Sequence, residues 1–73
     1  MTQQEMKTAA RSALRDARAA WGRGWARLGD EQRRDALAHR VLNDARLYAP
    51  TLVVEEAFEI LRITVALDSD TVR

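Results

Sequence analysis

The sequence predicts an all-α fold, a three-helix antiparallel bundle with helices over about 3–28, 30–48 and 51–67. Apolar residues recur at helical spacing along each of these segments. One proline and three glycines are too few turn residues for a many-stranded sheet. The connections that remain are very short, which makes consecutive helices antiparallel neighbours. Seventy-three residues form one small helical domain, with a frayed tail expected over 68–73.

In the first segment Met6, Ala10, Ala13, Ala17, Trp21, Trp25 and Leu28 fall within an arc of roughly 120°, and Leu14 extends that face. The stripe keeps phase past Gly22 and Gly24, each costing about 1 kcal/mol inside a helix, so fraying or a kink is expected there. Gly24 falls on the apolar side, where a missing side chain admits a neighbouring helix. Trp21 reads as core and Trp25, at the margin of the stripe, as a candidate interface anchor.

Gly29 as N-cap, followed by Asp30, Glu31 and Gln32, is a start signal for the second helix. Its apolar face is Leu37, Ala38, Val41, Leu42, Ala45, Tyr48 and Ala49. Pro50 ends it by disfavouring helical backbone at Ala49. Pro50 at N1 or Thr51 as N-cap then starts the third helix.

That third helix carries Val53, Val54, Ala57, Phe58, Ile60, Leu61, Thr64, Val65 and Leu67 on an arc of roughly 180°, wider than an outer helix of a bundle needs. Leu52 and Ile63 reappear on the opposite side, among Glu55, Glu56 and Glu59. Thirteen of the apolar residues are alanine, so twenty-one larger side chains must close the core. A short chain with apolar surface to spare completes its core by oligomerising. Self-association, as a homodimer or within a helical complex, is the expectation. The candidate partner-binding residues are Trp25, Leu52, Ile63, Glu56 and Glu59.

Composition narrows the function classes. Without cysteine there is neither a disulfide nor a thiolate metal site, and His39 alone cannot build a zinc cluster, so no metal and no cofactor are expected. The chain is too short for a nucleotide-binding α/β fold. No apolar run reaches signal-peptide or membrane-spanning length, so no membrane association is expected. Eleven arginines to one lysine, with abundant alanine, suggest a GC-rich coding sequence and a bacterial, phage or plasmid source. Absence of cysteine suits a reducing cytoplasm.

The overall charge is +1, but residues 1–28 carry +4 and residues 50–73 carry −3. The basic segment either complements the acidic one or binds phosphate. Lys7, Arg11, Arg15 and Arg18 lie on one flank of the first helix within roughly 80°, as a phosphate-tracking strip does. A solvated face has the same pattern, and net charge near zero gives little pull on a polyanion.

Arg34-Asp35-Ala36-Leu37-Ala38-His39 resembles, over those six residues, the short Arg-x4-His pattern of HEPN-type ribonucleases. The resemblance implies RNA cleavage by Arg34 and His39 within a longer, four-helix bundle. Within one helix the two are about 140° apart, with Arg34 near the apolar arc and His39 on the polar side. Asp35 and His39 also form an ordinary i,i+4 surface pair. From its place by the apolar face, Arg34 is expected to meet an acid from the third helix. Glu55, Glu56 and Glu59 project from a single helix, whereas acid–base catalysis needs carboxylates converging across a pocket. The sequence therefore reads as a small non-enzymatic adaptor or regulator acting through helix-mediated protein contact. A non-specific nucleic-acid-binding module is the alternative, and a ribonuclease-like toxin a more distant one.

Overall fold

The computed structural model describes residues 1–48 and 53–72, and side chains over 1–44 and 53–70. Within them α1 runs Gln3–Trp21, a 3-10 turn Gly22–Arg27, α2 Asp30–Tyr48 and α3 Val54–Val72. No strand occurs among the described residues, and the three helices pack on one another as an all-α bundle. Ala45, Tyr48 and Ala49 as core side chains, Pro50 and Thr51 as helix boundary and Leu52 as a surface residue all lie outside the described positions.

The start of α1 is fixed by a reciprocal cap. Glu5 N–H donates to Thr2 Oγ1 at 3.1 Å while Thr2 N–H donates to Glu5 Oε1 at 3.1 Å. Two otherwise orphaned donors are satisfied together. The first helix does not reach residue 28: it ends at Gly22, whose φ of 62° places it in the left-handed region that glycine enters at low cost. Gly22 N–H donates to Arg18 O, closing the last turn.

This break inverts the expected roles of the tryptophans. Trp21, at the last position of α1, is 50% exposed, whereas Trp25, carried inward by the 3-10 turn, is 4% exposed. Gly24 has nothing within 4 Å of where a Cβ would sit, so it marks no close helix approach. Gly29 caps α2 as expected: its carbonyl accepts from Arg33 N–H at 3.0 Å, and Gln32 Oε1 accepts from Gly29 N–H at 2.9 Å.

The third helix starts later than expected and runs further. Glu56 N–H and Ala57 N–H both donate to Val53 O, at 3.1 and 3.2 Å. Helix then continues to Val72, so 68–72 is not a frayed tail.

Two clusters build the core. Met6, Ala10, Ala13, Val41 and Ile60 form one, and Leu14, Ala17, Trp25 and Leu37 the other, with Leu61 and Leu67 packed against both. Three alanines on the buried face of α1 let neighbouring helices approach closely, because interaxial distance follows side-chain size.

Candidate interaction surface

Trp25 of the second cluster is hydrogen-bonded to a charged group that periodicity and composition did not single out. Asp68 is buried at the α3 end of the bundle. Its Oδ1 accepts from Trp25 Nε1 at 2.8 Å and its Oδ2 from Arg33 Nε at 3.0 Å. Arg18 reaches the same carboxylate at 3.5 Å. Arg33, itself buried, also donates to Leu28 O and to Asp30 Oδ1. One acid from α3 thus meets an arginine of α2, but the arginine is Arg33. Arg34, expected in that role, is exposed. Among the described residues no buried side-chain nitrogen or oxygen lacks a partner.

The accessible features lie elsewhere. Along the seam between α2 and α3, Ala38, Val41, Leu42, Val54, Ala57, Phe58 and Leu61 line an apolar pocket of about 190 Å³. Leu42 is 56% exposed and Val54 and Phe58 are each 66% exposed, with Val53 exposed beside them. The cause is a mismatch of faces. Arg33, Leu37 and Val41 form the buried stripe of α2, at intervals of four residues. Ala38 and Leu42 each fall one residue later, about 100° round the helix, and are half-buried and exposed respectively.

Ile63, expected on the outer side of α3, is half-buried and packs against the first core cluster. Trp25 is buried and takes no part in the exposed surface. Glu56 Oε2 pairs with the Met1 amino group at 2.6 Å, which raises the pKa of that amine through the hydrogen bond and the opposite charge. Glu59 pairs with Arg62 at 2.5 Å, an i,i+3 bridge whose hydrogen bond lowers the Glu59 pKa and raises that of Arg62. Of the expected partner face, Trp25 and Ile63 are thus drawn into the core and Glu56 and Glu59 into ion pairs, while Leu52 lies outside the described residues.

On α1, Lys7, Arg11 and Arg15 are exposed as a single flank. Arg18, the fourth expected member, is turned to Asp68. Arg11, Arg15 and Arg18 share a shallow groove with Leu14 and Leu67. Arg15 is also within 3.4 Å of Asp16 and of Ser12 Oγ.

Arg34 and His39 are both on the exposed side of α2. No group of three His, Cys, Asp or Glu among the described residues is placed to hold a metal ion, and no described helix is long and apolar enough to cross a membrane. Compared with family models, curated proteins and solved structures, the chain matches none of them.

Proposed function

We propose that this chain is a small non-enzymatic adaptor or regulator that works by protein–protein contact through the α2–α3 seam. The observation that carries this reading is the contiguity of Leu42, Val54 and Phe58 around one apolar pocket. Single exposed apolar residues are ordinary on any surface, whereas contiguous ones mark interaction sites. Phenylalanine set in an apolar pocket is the kind of anchor that helical interfaces use. Val41 and Leu61 at the floor of the seam belong to the core, while Leu42, Val53, Val54 and Phe58 stand exposed beyond it.

The test replaces Leu42 and Phe58 by glutamate. Both are exposed, so helical circular dichroism is expected to persist while assembly and recovery of any partner from the native host are lost. Unchanged assembly and unchanged partner recovery in the folded variant would overturn the reading. A second reading, phosphate binding, draws on the exposed flank of Lys7, Arg11 and Arg15. Salt separates the two, since phosphate contacts weaken steeply with ionic strength and apolar contacts do not.

A further inference from the structure

The exposed arc of α3 carries a charge pattern beside its apolar edge. Taking Val54 as the origin at 100° per residue, Phe58 lies near 40°, Arg62 near 80° and Glu55 near 100°. Phe58 therefore stands between Val54, on the side facing α2, and the pair Glu55 and Arg62, on the side away from it. All four are exposed. Consider two copies of α3 laid antiparallel about a two-fold axis at Phe58. At about 1.5 Å rise per residue, Arg62 of one copy lies ~6 Å from the axis and Glu55 of the other ~4.5 Å from it, in the same direction. A two-fold perpendicular to the plane of the helices keeps the same flank of each on the same side. Each Arg62 thereby meets the Glu55 of the second copy, twice over, while Phe58 meets Phe58 at the centre. On the opposite flank, Val54 and Leu42 of both copies close over the apolar seam.

From this complementarity we infer that the occupant of the seam is a second copy of this chain, paired antiparallel through α3 with reciprocal Glu55–Arg62 contacts. The inference rests on the proposed function, since it names the partner of that same seam. A two-fold interface must be self-complementary, with one patch serving both sides. A parallel arrangement about Phe58 would instead carry the charged flank of each copy to the Val54 side of the other, where Glu55 and Arg62 meet no opposite charge. The existing Glu59–Arg62 bridge is exposed, and such i,i+3 pairs are weak enough to be shared or exchanged. The four exposed apolar side chains fall short of the roughly 800 Å² per partner of a standard interface. The pairing is therefore reversible, with dimer expected at tens of micromolar and dissociation on dilution.

The test is charge exchange read by sedimentation equilibrium. Glu55→Arg alone sets a second guanidinium against Arg62 at both contacts, and Arg62→Glu alone sets a second carboxylate against Glu55 at both. Each is expected to weaken dimerisation about tenfold, since two contacts lose an attraction and gain a repulsion. Mixed in equal amounts, the two variants pair opposite charges again and a heterodimer is expected. Circular dichroism of each variant establishes that both remain helical. A wild-type chain that is monomeric at about 100 µM, several times the concentration at which pairing is expected, would overturn the inference. So would variants that dimerise as the wild type does, or a mixture that stays monomeric while the wild type pairs. Failure of the proposed function is read separately: a monomeric wild type whose partner recovery still depends on Leu42 and Phe58 leaves the seam as a docking site and removes only the second copy.

Discussion

Asp68 accepts hydrogen bonds from Trp25 and Arg33 in the same buried region, so one side chain joins α3 to α2 and to the turn after α1. A buried ion pair contributes little net stability, because desolvation offsets the attraction, but removing one member leaves the other charged and uncompensated. Asp68→Ala is therefore expected to cost roughly 3–5 kcal/mol, enough to unfold most molecules of a domain this small. Replacing the set together, as Asp68→Leu with Arg33→Met and Trp25→Phe, removes the buried partners of the carboxylate with it and leaves only the part-exposed Arg18 and Leu28 O to find water, so it is expected to cost less than Asp68→Ala alone. Urea denaturation of the single and triple variants checks this, and an Asp68→Ala protein as stable as the parent would show that the network does not hold the helices. Neither charged residue is an expected core residue, and Asp68 falls in the expected frayed tail, although the spacing of both continues a buried stripe. Arg33 lies four before Leu37 and Asp68 four after Thr64, so each continues a buried stripe by one turn. Charge alone places them on the surface, and only the opposite charge on the facing helix reverses that placement.

Gly22 shows where periodicity misleads at the scale of an element. Apolar residues stay in helical phase from Met6 to Leu28, yet the backbone turns left-handed at Gly22 and continues as a 3-10 segment. Phase alone cannot reveal a turn that returns the stripe to the same side, which is what exchanges Trp21 and Trp25. Gly22→Ala forces a Cβ into the left-handed region and is expected to destabilise by about 1 kcal/mol, while Gly24→Ala, with open space around it, is expected to be neutral or slightly stabilising. Thermal melts of the two variants check the contrast, and equal effects would remove the special role of Gly22. The opposite end of α1 falls at the expected boundary near residue 3, and its cap supplies the reason. Thr2 and Glu5 have the capping-box spacing, and their hydrogen bonds hold the Glu5 carboxyl below its ordinary pKa, chiefly through the Thr2 backbone N–H. With the folded pKa below the unfolded one, this contribution is present above the unfolded value and lost as pH falls through the folded value. Glu5→Gln is expected to flatten the stability profile in that acidic window, as followed by thermal melts across it. The start of α2 followed from Gly29 and Gln32, whereas the start of α3 could not be placed from Pro50, since Val53 supplies the first accepting carbonyl.

Across the whole molecule the charge asymmetry of the sequence is partly used up by the fold. Arg18 of the basic first segment pairs with Asp68 of the acidic last one, and the Met1 amino group pairs with Glu56. This is the complementary reading of the two ends realised within one chain. It also reduces the candidate phosphate strip from four residues to Lys7, Arg11 and Arg15. Each phosphate neutralised on duplex DNA contributes a slope of roughly −0.9 in log K against log salt, so three contacts give about −2.7. A threefold rise in salt then weakens any such binding about twentyfold. With the overall charge at +1, long-range attraction does not compensate for so few contacts. We therefore expect no affinity for duplex DNA or RNA tighter than micromolar at physiological salt, measured by fluorescence anisotropy over a salt series. Arg11→Glu with Arg15→Glu is expected to leave both folding and self-association unchanged, because neither side chain enters the core or the α2–α3 seam. Submicromolar binding with a slope near about −3, abolished by that double substitution, would move the functional surface from the seam to α1.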